Sequence, residues 1–156
     1  MAIESEIPRR ESPDGYRAAH IDDVFLVVWE RVRPETIPQL VASARRAAQV
    51  SRERLIYVAV IPDGAPTPDE AGRRALDEAT SALLEVCTSM HCVIEGTGFK
   101  KSMLRGVAAS IFMVSGKRGK MHVHDNLLDA LRNAPGLGPG QPSAIVAEAH
   151  KRGLLA

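Results

Sequence analysis

Short apolar runs alternate along the chain with longer segments in which apolar residues recur at helical spacing. Residues 24–29 and 55–61 are apolar throughout, without the alternation of a half-exposed strand. This pattern is typical of strands covered on both faces, as in a parallel sheet between helices. Residues 16–21, 90–95 and 121–124 form three further short strand candidates.

The segments between these strands have apolar residues three and four positions apart, which places them on one face of a helix. The predicted helices span residues 36–50, 67–87, 99–114, 126–133 and 144–150. In the third helix the predicted inward-facing set is Phe99, Met103, Leu104, Val107, Ala108, Ile111 and Phe112.

Three of these helices begin with a residue type that favours an N-terminus. Thr36 with Gln39, and Thr67 with Glu70, have the spacing of a capping box. Ser143 is the candidate cap of the final helix.

The order β-β-α-β-α-β-α-β-α predicts an α/β fold with flanking helices and a mixed, mostly parallel sheet of four to five strands. The leading hairpin supplies the antiparallel pair. We expect a disordered leader at 1–14, one domain at 15–134, a Pro/Gly linker at 135–142 and a short C-terminal helix within 143–156.

Charge and cysteine content narrow the functional classes. The 20 Lys and Arg residues nearly balance the 19 Asp and Glu residues, so the net charge creates no electrostatic field that would attract nucleic acid. No apolar run has membrane-spanning length, and the N-terminus lacks the apolar stretch of a signal peptide. The two cysteines, Cys87 and Cys92, fit a reducing compartment, so we expect a cytoplasmic protein without membrane insertion.

The element order, and the closing segment MHVHDNLLDAL at 121–131, resemble the STAS domain of anti-sigma-factor antagonists. The resemblance covers about residues 16–134. It implies a bacterial regulatory module that acts in signalling by binding another protein, without catalysis and without a cofactor.

STAS antagonists carry a phosphorylated serine at the turn that corresponds here to residues 61–69. This stretch contains no serine, and Thr67 is its only hydroxyl residue. The resemblance therefore implies that any phosphoacceptor at this turn is Thr67. The competing interpretation is that Thr67 only caps a helix.

Residues 96–102 (GTGFKKS) suggest an alternative function as a small-ligand or anion-binding domain. The turn follows a predicted strand and opens a helix, where free N–H groups favour an anion. The candidate residues are Thr97, Gly98, Lys100 and Lys101. The competing interpretation is a glycine turn with solvated lysines.

Catalytic and metal-binding sets are weaker candidates. His122 and His124 alternate on a strand and point to one face, with His91 or Cys92 as a third ligand, but nothing in the spacing requires a metal. Cys87 is expected at a helix C-terminus, where the dipole disfavours a thiolate. An enzyme on this scaffold is therefore the third functional hypothesis, after a protein-binding regulatory module and a small-ligand or anion-binding domain.

The apolar pair Ile145 and Val146 on the final helix makes self-association one of two expectations. This helix is expected to dock either on its own domain or on a second copy in a homodimer.

Overall fold

The computed structural model describes residues 11–52, 54–115 and 120–155, and within them it contains five strands and five α-helices. The strands are β1 (Tyr16–Ile21), β2 (Val24–Trp29), β3 (Ile56–Ile61), β4 (Ser89–Ile94) and β5 (Met121–His124). The helices are α1 (Ile37–Val50), α2 (Glu70–Leu84), α3 (Phe99–Ser115), α4 (Leu127–Asn133) and α5 (Gln141–Lys151), with a 3-10 turn at Pro34–Thr36 before α1.

The five strands form one mixed sheet in the order β1-β2-β3-β4-β5. β1 and β2 are antiparallel, and every later neighbour is parallel. The predicted α/β class and the mixed sheet with one antiparallel pair are confirmed. Because each crossover moves one strand in the same direction, right-handed connections place α1, α2 and α3 on one face.

The first face of the sheet packs against these three helices. Phe25, Tyr57 and Met90 share one buried cluster with Leu40 of α1 and Leu83 of α2. Farther along the sheet, α3 contributes its own smaller cluster, in which Leu104 and Ala108 contact Cys92 and Ile94. This layer contains the longest helices of the fold.

The second face is covered by α4 and α5, which makes the domain a three-layer α/β/α structure. Leu26 and Val58 share a buried cluster with Leu131 of α4 and with Ile145 and Ala149 of α5. Ile145 and Ala149 are fully buried within this chain. The C-terminal helix therefore docks on its own domain.

Two predicted helix caps are wrong, and the third is confirmed in position only. Thr36 stands at the N-cap of α1, but its hydroxyl donates to the carbonyls of Asp14 (2.7 Å) and Arg33 (3.0 Å) and makes no capping bond. The N-cap of α2 lies two residues later than predicted, at Asp69 instead of Thr67. Ser143 lies inside α5, whose N-cap is Gly140, because Pro142 fits the first turn, where its missing N–H costs nothing.

The N-cap of α2 is Asp69, whose carboxylate accepts a hydrogen bond from the Gly72 amide at 2.7 Å. Aspartate is among the best capping residues, and here it starts the helix at Glu70. Thr67 therefore lies in the preceding loop and has no capping role.

Residues 1–10 of the predicted leader lie outside the described residues. The remaining part contacts the domain, since the Ser12 amide donates to Glu30 at 2.7 Å. Between α4 and α5 the predicted linker connects two docked helices. None of the helices within the described ranges combines the length and apolarity needed to cross a bilayer.

Candidate functional site

The loops that follow β3 and β4 meet at the carboxyl edge of the parallel strands, where ligands of open α/β sheets commonly bind. Gly96, directly beyond β4, has a φ of +94°, and a Cβ there would lie 2.5 Å from Oδ1 of Asp63 in the loop after β3. The positive φ favours glycine here, and a larger residue would also have to push aside the carboxylate of Asp63. The sequence-predicted sites at Thr67 and at residues 96–102 both lie along this edge.

Lys101 forms an ion pair with Asp125, which follows β5, at an Nζ–Oδ1 distance of 2.9 Å. Arg105 lies 3.7 Å from the same oxygen. The hydrogen bond from Lys101 and the two positive charges lower the pKa of Asp125. A carboxylate of this chain therefore already meets the lysine at the start of α3.

The other predicted anion-binding residues are not gathered around Lys101. Thr97, Gly98 and Lys100 are exposed, whereas Lys101 is half-buried. A Cβ at Gly98 would meet no atom within 4 Å, so this part of the turn faces open space. Thr67 is exposed as well, in the loop before α2.

Three histidines come together on the second face of the sheet, at the edge formed by β4 and β5. His91 is directly beside His122 in the parallel register. Its Nδ1 lies 2.9 Å from Nε2 of His124, and its Nε2 lies 2.9 Å from the Ser89 hydroxyl. The His91 ring is stacked at 5.2 Å from that of His122 and 5.1 Å from that of His124.

The environment of this cluster favours neutral imidazoles. Burial, followed by the neighbouring histidines, lowers the pKa of His91 to about 4. Burial also lowers the pKa of His124, against the opposing effect of Asp129 and Asp125. His91 is fully buried, His124 is half-buried and His122 is exposed.

The cluster partly matches the sequence prediction. His91, the candidate third ligand, does share a face with His122 and His124, while Cys92 lies on the opposite face with α3. Across the described part of the chain, no three His, Cys, Asp or Glu residues are arranged to hold a metal ion. Ser89 was not foreseen, although its position two residues before His91 places it on the same face of a strand.

Neither cysteine is placed for nucleophilic chemistry. Both thiols are buried, and burial raises the pKa of Cys87 and of Cys92 to about 12. The thiolate is the reactive form, so neither residue supplies a nucleophile near neutral pH.

The outward surface of α3 differs from an ordinary exposed helix. We call it the α3 outer face, and it consists of Ser102, Met103, Gly106, Ala109 and Met113. Met103 is 44% exposed and Met113 is 62% exposed. No residue from 106 to 115 carries a charge. The predicted inward position of Met103 is wrong, because Leu104, Ala108 and Ile111 form the buried side of the helix.

Phe99 and Phe112, also predicted to face inward, have side chains outside the described set. The missing charge after Arg105 is the signal in the sequence that could have revealed the α3 outer face.

Comparison with protein-family models, curated proteins and solved structures finds no match to this chain.

Proposed function

We propose that this chain is a non-enzymatic, STAS-like regulatory module of bacterial signalling that binds another protein through the α3 outer face. The observation that carries the proposal is the pair of exposed methionines on a helix surface without charge. Exposed helix faces normally carry charged residues, and methionine is over-represented at adaptable binding surfaces.

The shape of the α3 outer face suits a helical partner. From Ser102 to Met113 the face is about 16 Å long at 1.5 Å per residue, or about three helical turns. Gly106 lies between the two methionines, and a Cβ there would meet no atom within 4 Å. An apolar helix stripe can therefore approach the backbone of α3 closely between the methionine side chains.

The rim of the face is basic. Arg105 lies on α3 itself and shares the single carboxylate of Asp125 with Lys101, which leaves one positive charge in excess. Lys100 is exposed in the first turn of α3, and Arg73 of α2 is hydrogen-bonded to Ser110. Opposite charges across an interface favour association and set orientation. We therefore propose a partner with an amphipathic helix whose apolar stripe is flanked by Asp and Glu.

The absence of a reactive thiolate supports a regulatory role over catalysis. Both cysteines are buried, with their pKa raised to about 12, and His91 is engaged on both ring nitrogens. The alternative, anion binding at residues 96–102, is less well supported because Asp125 already neutralises Lys101.

The experiment is site-specific photocrosslinking. A diazirine analogue of methionine at position 113 is irradiated in extract of the source cells, with a diazirine residue at position 50 as control. Val50 is 74% exposed on α1 and lies outside the α3 outer face. We expect one protein to crosslink from position 113 and not from position 50.

The captured protein is then purified and titrated against three forms of the full chain. Wild type and Val50→Glu should bind equally, and Met113→Glu should bind at least tenfold more weakly, because a charge would be buried against an apolar stripe. Equal binding by Met113→Glu overturns the proposal. The proposal would also be overturned if position 113 crosslinked only to a second copy of this chain, or if the chain bound only to anionic lipid vesicles.

A further inference from the structure

A cavity of about 110 Å³ lies between the first face of the sheet and the helices α1, α2 and α3. Its walls are mainly apolar side chains from every surrounding element. They include Leu40, Tyr57, Leu83, Met90, Leu104 and Ile111. Protein interiors are otherwise packed with few voids larger than a water molecule.

The cavity has the size and lining of a site for a small ring molecule. An apolar cavity of about 150 Å³ stays dry and binds benzene. The present cavity is of the same order and has the same chemical character. Water gains little there, since it requires two to four polar partners.

Two side chains that carry a hydroxyl group distinguish this cavity from a purely apolar void. Tyr57 is 5% exposed and Thr80 is 8% exposed, and both residues line the cavity. A hydroxyl group both donates and accepts, so a ligand that carries a hydroxyl or carbonyl group finds hydrogen-bonding side chains in this wall.

The lining also reaches the surface, which gives a ligand a route of entry. Its exposed members are Arg31, beyond β2, and Pro66, in the loop beyond β3. Ala65 and Pro68 of the same loop are half-buried. The entrance therefore lies at the carboxyl edge of the parallel strands.

We propose that this cavity is a binding site for a small, neutral, mainly apolar ring molecule with one hydrogen-bonding group, of about the size of phenol. The apolar walls contribute the binding free energy, and the Tyr57 and Thr80 hydroxyls select a ligand with a polar substituent. This site is separate from the α3 outer face and does not depend on the proposed function.

The test is an NMR titration of the full ¹⁵N-labelled chain with phenol and, separately, with benzene. We expect saturable shifts confined to residues around the cavity. Tyr57→Phe keeps the ring and removes the hydroxyl, so it should weaken phenol binding about fivefold and leave benzene binding unchanged.

A matched pair of variants tests the location. Ala108 lines the cavity and Ala109, the next residue of α3, is exposed, so Ala108→Leu should abolish phenol binding and Ala109→Leu should not. Absence of saturable shifts in wild type overturns the proposal, as do shifts spread over the whole surface. If Ala108→Leu does not fold, Tyr57→Phe decides: unchanged phenol affinity overturns the assignment.

Discussion

Nδ1 of His91 lies 2.9 Å from Nε2 of His124, and the other ring nitrogen of His91 contacts the hydroxyl of Ser89. A buried imidazole is thereby held on both sides at the junction of β4 and β5. In a neutral ring one nitrogen donates and the other accepts, and the Ser89 hydroxyl can act as the partner in either role. The cluster therefore links folding to pH.

Acidification should destabilise the fold through His91. Its pKa falls from 6.5 to about 4 on folding, so between these values the unfolded chain binds the proton and the folded chain does not. Stability is thus lost as pH falls from 6.5 to 4, by about 3 kcal/mol, and changes little from this source above 6.5. Urea unfolding at several pH values measures this change in the free energy of unfolding.

The His91→Gln variant should lose most of this pH dependence, whereas His122→Gln, which changes the exposed member of the cluster, should keep it. Identical pH profiles for wild type and His91→Gln would show that the buried ring is not the group responsible.

The corrected N-cap of α2 gives a second prediction. Asp69→Ala removes the acceptor of the Gly72 amide and should destabilise the protein by about 1 kcal/mol. Thr67→Ala should leave the free energy of unfolding nearly unchanged, because Thr67 is exposed and caps nothing. Chemical denaturation of both variants checks this. If Thr67→Ala destabilised the protein more than Asp69→Ala, Thr67 would be the N-cap of α2.

The docking of α5 gives a third prediction. Ile145 is fully buried in the second-face core, so Ile145→Ala should cost about 2–5 kcal/mol. Val146→Ala, at the next and only half-buried position, should cost less. Thermal and urea unfolding measure both. Equal, small effects would indicate that α5 contributes little to this core.

Thiol accessibility provides a fourth prediction. Cys87 and Cys92 are buried, and burial raises the pKa of each thiol to about 12, so at pH 8 very little of the reactive thiolate is present. Both should therefore react slowly with a thiol reagent in the native protein. Two equivalents should react at once in denaturant. Fast native labelling of one thiol would point instead to a reactive cysteine.

The sheet was predictable from the sequence because its strands are short, uninterrupted apolar runs. The run at 24–29 predicted β2 to the residue, and MHVH predicted β5. The helix starts were less predictable, since several capping residues stand close together and local contacts decide between them. Thr67 and Asp69 both suit an N-cap, and only the observed Asp69–Gly72 hydrogen bond distinguishes them.

The candidate sites were only partly predictable. Strand alternation placed His122 and His124 on one face, but the burial of His91 depends on packing between distant segments. Helical spacing assigned Met103 to the core because it is apolar, although the helix turns it outward. The cavity at Tyr57 and Thr80 arises from the packing of three helices against the sheet. The spacing of apolar residues within one segment gives no information about packing between segments.

The covering of the second sheet face by α4 and α5 has a consequence for synthesis on the ribosome. The side chains that cover the second face of β1, β2 and β3, such as Ile145 and Leu154, are translated long after these strands. A nascent chain therefore exposes the apolar face of Leu26 and Val58 until α5 has emerged. During that interval the chain is most prone to aggregate and most in need of a chaperone.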